Sequence, residues 1–488
     1  MRLAELLCDV IEMVDLDVTI NGLCLDSRKV QQGDLFVALS GTCAEGHRFI
    51  VDAVTAGASA VLFDASVQID QDIDVLCIPV PELNQKLGGI AARFYGMPSQ
   101  QLFVAGITGT NGKTSCSHFL AQAMNDKEAP TAIVGTLGNG FIDHLEPATH
   151  TTPDAISLHT MLRRFVDSGA RNLVMEVSSH GLEQGRVNGI AFDLALFTNL
   201  SRDHLDYHGD MDAYGRAKAR LFQMPGLQYA VINGDDPFGR HLINALPESV
   251  ETVLYTLSDQ SHDQAAVRGQ IASQGHDGLL LDIQSPWGDG RIHSELLGRF
   301  NASNLLAVLS ALLLSGVGFN TALKKLSLLK TVPGRMERLG GKCGKPLVVV
   351  DYAHTPDALE QVLTTLREHC TAQLWCVFGC GGDRDKGKRP LMGQMAMRYA
   401  DRIVLTDDNP RYENPQEIID DISVGIDSDK LIVLRDRAQA IVYSVSEASA
   451  DDVVLIAGKG HEAYQHIGDE KIAFSDRKQV QQALGVAA

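Results

Sequence analysis

The sequence predicts an α/β protein of three domains, and three observations carry that reading. At 488 residues the chain has room for about three domains of roughly 150 residues. Short apolar runs alternate with helical segments along most of its length, which is the rhythm of mainly parallel sheets. Those runs end in polar residues, where α/β folds place their sites.

Residues 1–84 read as a small α/β domain. The β-like runs "DLFVAL" (Asp34 to Leu39) and "SAVLFD" (Ser59 to Asp64) are joined by glycine-rich turns and one helical segment near "HRFIVDAVTAGA". The opening "MRLAELLCDVIEMV" is amphipathic and carries Glu5, Asp9 and Glu12, unlike the basic start and unbroken apolar run of a secretory leader. Residues 85–332 form the central domain. It opens with the helical "LNQKLGGIAARFYG", followed by the apolar "QLFVAGITG", which runs into Gly112-Lys113-Thr114. The buried strands "TAIVGT", "NLVMEVSS", "LALFTNLS" and "YAVINGDD" follow. From about Glu251 to Gly298 polar and apolar residues alternate among many glycines, which predicts an antiparallel excursion. The apolar "NLLAVLSALLLSGVG" is too short to span a bilayer and reads as a buried helix. Residues 333–488 repeat the strand–helix rhythm in "PLVVVDYAH", "QLWCVFGCGGDRD", "DRIVLTDDNPR", "KLIVLRD" and "DVVLIAGKGHE", which predicts a second sheet.

Composition narrows the function. A formal net charge of −19 argues against a nucleic-acid partner, because neutralising phosphates takes clustered Lys and Arg. An anionic ligand must instead meet local cationic clusters. The nine cysteines are scattered, with no C-x-x-C and no zinc-site spacing. They read as reduced thiols in a cytoplasmic protein without a membrane span.

Seven segments carry chemistry or bear on it. The loop "GITGTNGKTS" (Gly106 to Ser115) joins a buried strand to a helix and presents backbone N–H groups to phosphates. It lacks the usual first glycine, since Ile107 occupies that place. Lys113 supplies a positive charge there, and the Thr114 hydroxyl can reach magnesium. Glu176 ends a neighbouring buried strand, where a carboxylate can serve as a second metal ligand. In "TNLSRDHLDYHG", His204 and His208 stand four apart, but Asp203 and Asp206 crowd the segment with oxygens, favouring one histidine near magnesium over a zinc pair. Lys218 in "YGRAKARLF" reads on pattern alone as a lysine on a helix surface. In the last third, "FGCGGDRDKGKRP" offers Arg384, Lys386, Lys388 and Arg389 as a basic patch. In "DDNPRYE" the Asn409-Pro410 turn displays Asp408 beside Arg411, a pairing suited to a zwitterion. "GKGHE" adds another carboxylate.

Taken in order, "LDSRKV", "GDLFVAL", "GTNGKTS", "TTPD", "EVSSHGL", "TNLSRDHLDYHG", "GRFNASN", "PGRMER", "DYAHTPD", "GCGGDRDKGKRP", "DDNPR" and "GKGHE" resemble the motifs of the Mur ligases across essentially the whole chain. The phosphate loop then looks like that family's own form, with G-T-N-G-K-T at its centre. The resemblance implies a central P-loop parallel-sheet ATPase domain, flanked by a small N-terminal domain for a UDP-sugar and a C-terminal Rossmann-like domain for an amino acid. "DNPR" resembles the signature of the ligases that add meso-diaminopimelate to UDP-N-acetylmuramoyl-L-alanyl-D-glutamate.

It also implies roles. Leu25, Ser27, Thr42, Cys43 and Ala44 match positions at the UDP end, and Thr151, Thr152, Ser178, Gln184 and Arg186 match positions along the muramoyl-peptide. Gly109, Thr110, Asn111, Gly112, Lys113, Thr114 and Ser115 match the cradle of the ATP phosphates, while Asn304, Arg335, Asp351 and His354 match positions near the nucleotide. Glu176 and His204 match magnesium ligands beside Thr114. Lys218 matches a lysine carbamylated by carbon dioxide, which turns a cation into a carboxylate-like ligand. Arg384, Asp408, Asn409, Pro410, Arg411, Gly458 and Glu462 match the diaminopimelate pocket.

The implied chemistry is acyl activation. The D-glutamate carboxylate attacks the γ-phosphate of ATP, and the amine of the incoming amino acid displaces phosphate from the acyl phosphate. Lys113, His204 and Lys218 are the expected catalytic groups, domain closure assembles the site, and a monomer acting on small molecules is expected. Three alternatives stand beside this reading. One is the same ligation with L-lysine, which lacks the distal carboxylate that Arg384 and Arg411 suit. Another is a folylpolyglutamate-type ligase, which would not need the N-terminal domain. The third is a P-loop switch or kinase, which leaves the charged C-terminal loops unexplained.

Overall fold

The computed structural model describes residues 1–11, 17–39, 45–69, 73–258, 266–275, 278–342 and 344–485. The chain forms two compact units. One comprises Met1–Thr108, Met124–Ala195 and Ala217–Tyr229, and the other Gly109–Ala123, Leu196–Arg216 and Ala230–Ala488.

In the first unit, Gly22–Cys24, Asp34–Ala38, Ala60–Asp64 and Leu76–Val80 pair in that order as a parallel sheet. Successive side chains point to opposite faces of a strand. Leu35, Val37, Leu62 and Ile78 therefore pack with Leu3, Leu6 and Leu7, while Phe36, Val61 and Phe63 pack with Ile50 and Ala53 on the other face. The helix Leu83–Phe94 sends Leu83, Leu87, Ile90 and Ala91 into the first of these cores. The expected boundary at 84 thus falls inside a helix that packs with the N-terminal sheet. A second ladder runs parallel through Phe103–Thr108, Asn172–Glu176 and Thr131–Gly135, and continues antiparallel into Gly138–Phe141 and His144–Glu146.

In the second unit the excursion at 251–298 is mixed rather than antiparallel throughout. Glu251–Thr256 pairs parallel with Ala266–Gly275, and only then do Gly278–Ser285 and Gly288–Ser294 add antiparallel strands. Alternation of residues reports which face is buried, and it is blind to strand direction. The apolar run near residue 305 lies in the buried helix Arg299–Leu314. The last third builds a six-stranded sheet in the order Glu337–Gly340, Leu347–Asp351, Val453–Ala457, Leu374–Phe378, Arg402–Leu405, Leu431–Val433. All of its pairings are parallel except the first. Its middle strands read as unbroken apolar runs because both faces are covered. Their carboxyl ends deliver the "DYAH", "GCGGDRD", "DDNPR" and "GKGHE" loops to one edge.

Two of the four cations of the expected basic patch are internal. Lys388 and Arg389 are buried at the start of the helix Lys388–Tyr399. Arg389 binds Glu413 at 2.9 Å and Asp421 at 2.9 Å, and Lys386 reaches Glu413 at 3.2 Å. The buried pair anchors the loop that carries Arg384, while Arg384 and Lys386 stay exposed.

Two predictions follow from packing and charge. Gly88 and Gly89 are neighbours in one helix, yet a Cβ on Gly88 would overlap the Asn188 carbonyl, whereas nothing lies within 4 Å of one on Gly89. G88A should lose about 1–3 kcal/mol of stability to overpacking. G89A should gain about 0.4–1 kcal/mol by restricting the unfolded chain. Urea unfolding of the two variants reads the opposite signs. The Arg389 hydrogen bond is the main cause that pulls Glu413 from the ordinary 4.5 to about 2. A carboxylate with a depressed folded pKa stabilises fully above its unfolded value and loses that contribution as the pH falls through the folded one. R389M should therefore be less stable than the parent at pH 7. The gap in urea midpoint should shrink between pH 4.5 and about 2.

Candidate active site

The phosphate loop lies in the second unit and is tied down by the loop after Phe197. The Thr110 amide donates to the Asn199 carbonyl at 2.8 Å, the Asn111 amide to Asn199 Oδ1 at 2.9 Å, and Thr198 Oγ1 to the Asn111 carbonyl at 2.6 Å. This close approach explains Gly109: its φ is 146°, and a Cβ there would overlap Thr198 Oγ1. Gly112, with φ 86°, turns the chain into the helix Lys113–Met124. Lys113 Nζ donates to the carbonyls of Gly109 at 2.8 Å and Thr110 at 2.9 Å, so the cation lies across its own loop.

A cavity of about 290 Å³ opens beside this loop. Asn111, Gly112, Ser115, Asn304, Arg335 and Asp351, all expected near a nucleotide, line it. Gly109, Thr110, Lys113, Thr114 and His354 are not part of its wall. Arg335 Nη2 donates to Thr114 Oγ1 at 3.1 Å, and its guanidinium lies 4.5 Å from the centroid of the Tyr352 ring. Asn304 Nδ2 donates to Asn301 Oδ1 at 3.2 Å. Asp351 accepts the Met336 and Ala353 amides, each at 2.7 Å, and burial pushes its carboxyl above the usual range. Its acceptors are occupied by the turn it shapes. His354 Nδ1 lies 2.8 Å from the Tyr352 carbonyl, which can only accept, so that nitrogen carries a proton.

The wall also holds residues that motif reading passed over: Tyr255, Arg299, Tyr352 and Asp357. Asp357 accepts from Asn111 Nδ2 at 2.9 Å. Asp203 is buried with Lys388 at 3.6 Å and the Nε2 atoms of His204 at 3.3 Å and His354 at 3.6 Å. Burial opposes its ionisation, yet the hydrogen bond with His354 and the nearby cations hold it well below the ordinary carboxylate range. It is a charge-paired hub and does not crowd a metal with free oxygens. His204 has a left-handed φ of 54° and immediately precedes the short helix Leu205–His208. Among the described residues, no group of three or more His, Cys, Asp or Glu is placed to hold a metal ion.

The "GCGGDRD", "DDNPR" and "GKGHE" loops meet at the sheet's carboxyl edge. Arg411 Nη1 donates to the Gly382 carbonyl at 2.6 Å and Arg384 Nη1 to the Asp383 carbonyl at 3.1 Å. Burial, and then the like charge of Arg384, lower the pKa of Arg411, while Asp408 and Glu462 oppose that shift. Gly458 has φ 109°, and a Cβ there would sit 2.6 Å from Asp408 Oδ2. Pro410 is buried behind Arg411. Arg202 of the loop after Asn199 pairs with Asp385 at 3.0 Å.

The first unit gathers another set of expected residues. Glu176 is fully buried and accepts from the Thr136 amide at 2.8 Å and the Thr136 hydroxyl at 3.1 Å. The Thr151 hydroxyl meets Thr136 Oγ1 at 3.0 Å, and Thr152 Oγ1 donates to the Glu176 carbonyl at 3.0 Å. The Ser178 amide donates to Thr152 Oγ1 at 3.0 Å, and Ser178 Oγ caps the next helix. Arg186 reaches the Thr152 carbonyl at 2.8 Å and Gln184 Oε1 at 2.6 Å. Lys218 is not on the surface: it is 1% exposed. Leu25 packs against the N-terminal core, and Ser27 begins a short helix capped by Asp26. Thr42, Cys43 and Ala44 lie outside the described residues.

Comparison with known proteins identifies the family. Residues 19–95 match the family described as "Mur ligase family, catalytic domain", 107–312 the "Mur ligase middle domain", and 334–460 the "Mur ligase, glutamate ligase domain". A relative from Alkalilimnicola ehrlichii, named UDP-N-acetylmuramoyl-L-alanyl-D-glutamate--2,6-diaminopimelate ligase, is 49% identical, with 99% of both chains covered. One of the same name from Pseudomonas aeruginosa is 50% identical, with 96% of both chains covered. A solved structure of a ligase of that name matches with a TM-score of 0.72 at 38% identity, covering 99% of both chains. With a phosphate loop, an adjoining cavity and three charged strand-end loops in one chain, and relatives alike over its whole length, this protein is a member of the Mur ligase family.

Proposed function

We propose that this chain is the ATP-dependent ligase that joins meso-diaminopimelate to the D-glutamate of UDP-N-acetylmuramoyl-L-alanyl-D-glutamate, a step in making peptidoglycan precursors in the cytoplasm. The observation that carries the choice of amino acid is the Arg411–Arg384 pair. Two cations, one partly desolvated, repel each other beside Asp408 and Glu462. A distal carboxylate relieves that repulsion through a charge-assisted contact, and the acids offer a place for its ammonium. L-lysine brings the ammonium without the carboxylate.

We assign residues 1–84 to the UDP-sugar, 85–332 to ATP and 333–488 to the amino acid, with the helix Leu83–Phe94 crossing the first boundary. The cavity beside the phosphate loop takes the nucleoside, and the amides and Lys113 take the phosphates. The D-glutamate carboxylate oxygen attacks the γ-phosphorus and the bond to ADP breaks, leaving an acyl phosphate. The diaminopimelate amine then attacks the acyl carbon, phosphate leaves with the former bonding pair, and the nitrogen loses a proton as the amide forms. The protein's part is positioning and charge neutralisation.

Magnesium is the cofactor this reading requires, and the donor types suit a hard cation. In the second unit Thr114 offers an oxygen and His204 an imidazole nitrogen. When bound, the ion neutralises phosphate charge. Lys218 fits only after modification. Its amine, as the free base, would add to carbon dioxide with loss of a proton and become an anionic carbamate.

Phosphate release from ATP and magnesium with the UDP-linked dipeptide should require meso-diaminopimelate and not respond to L-lysine. R411A should raise the KM for diaminopimelate by roughly 30- to 100-fold, the scale of one lost charged hydrogen bond. Comparable turnover with lysine would overturn the assignment of the amino acid, and turnover with neither would overturn the ligation. Enzyme supplied with ¹³C-bicarbonate should show a carbamate carbon resonance that K218M lacks.

A further inference from the structure

Lys459 is fully buried, in the middle of "GKGHE". The glycines on either side let it turn inward. Gly458 and Gly460 have φ of 109° and 52°, and a Cβ on Gly460 would sit 2.7 Å from the Gly334 carbonyl oxygen and 2.8 Å from Tyr352 Cβ. The Glu462 amide closes the turn on the Lys459 carbonyl at 2.9 Å. Lys459 Nζ donates to Glu462 Oε2 at 2.7 Å and to Asn409 Oδ1 at 2.9 Å, and lies 5.8 Å from the centroid of the Tyr464 ring.

The Asn409 amide ties this network together, with one Nδ2 proton left over. Its Oδ1 also accepts the His466 amide at 2.9 Å, and its Nδ2 donates to Glu462 Oε2 at 2.9 Å. His466 in turn accepts the Arg411 amide at 3.0 Å. Glu462 Oε2 is therefore held by two donors, and among the described residues no side chain or amide donates to Oε1. The same network fixes the backbone of Arg411.

We propose that Lys459 is a positioning residue that sets the specificity of the amino-acid site. It acts by aiming Glu462, with Asn409 as the link to Arg411. One carboxylate oxygen is pinned, the other is presented to the ammonium of the incoming amino acid, and the distance from Glu462 to Arg411 is set by the network between them. This proposal rests on the diaminopimelate reading. The chemistry it predicts is recognition of an ammonium and a carboxylate at a fixed separation.

The test uses the full-length enzyme and three variants, K459M, E462Q and K459M/E462Q, assayed by phosphate release. Wild-type turnover that depends on diaminopimelate must be present first, and its absence would defeat the functional reading, not this one. Given that turnover, K459M should raise the KM for diaminopimelate by about tenfold or more, the scale of a lost charge-assisted contact. The KM values for ATP and the UDP-linked dipeptide should stay within about twofold, on the same scale. On the E462Q background, K459M should add little, because the group it aims is already disabled. An unchanged KM for diaminopimelate in K459M overturns the proposal. So does an effect of full size on the E462Q background, or an equal rise in all three KM values. If K459M does not fold, N409S removes the link without stranding a buried charge. It should show the same selective rise in KM, and a normal KM would overturn the proposal.

Discussion

Charge removed from water has to be answered within a few ångströms, and that constraint shapes the second unit more than any other. Arg389, Arg437, Lys388, Lys459 and Asp203 are all buried. Each has a partner in the loop or helix it must hold. Arg437 shows the logic apart from any site. Its Nε and Nη2 bind the Asp476 carboxylate at 2.7 and 2.8 Å, and Nη2 also reaches the Ala457 carbonyl at 2.9 Å. That carbonyl ends the strand that feeds Gly458. A buried ion pair of this kind adds little net stability, because desolvation offsets the attraction, but removing one partner is costly. What such pairs fix is geometry. The loops at the sheet edge are irregular backbone, and buried charges set their positions.

The same loops carry the strain. Among the described residues six non-glycine residues have positive φ, and four of them are His204, Met336, Asp383 and Arg411, beside or within the charged loops. A side chain at such a φ costs free energy, which persists only where the surroundings over-determine it. Arg411 is over-determined by amide bonds on both sides, to His466 and Gly468, and by its own guanidinium bond to Gly382.

Much of the fold could be read from the sequence because the buried strands write their burial as runs of Val, Ile and Leu, as in "LVVVD" and "VVLIA". The loops at strand ends were legible for the same reason: they begin where the runs stop. Three things were not legible. Strand direction in the 251–298 segment was hidden, because alternation encodes a face and not a polarity. Burial of Lys218, Lys388 and Arg389 was hidden, because a charged residue's partner stands elsewhere in the chain: Glu413 and Asp421 lie 24 and 32 positions from Arg389. Of the cavity walls, Tyr255 carries no motif, while Tyr352 and Asp357 sit inside "DYAHTPD" with nothing to mark them as lining, since an aromatic ring or an acid looks like any other.

The position of Lys113 has a consequence for selectivity. Its ammonium already has two carbonyl acceptors in its own loop, so a ligand does not fill an empty electrostatic hole. It enters an exchange, in which each carbonyl contact given up must be replaced by a better acceptor. A phosphate chain bearing several negative charges can complete that exchange, whereas a neutral sugar or a single weak acceptor cannot. The loop's self-contact thus acts as a threshold on ligand charge, discriminating by valence before any base or sugar is recognised.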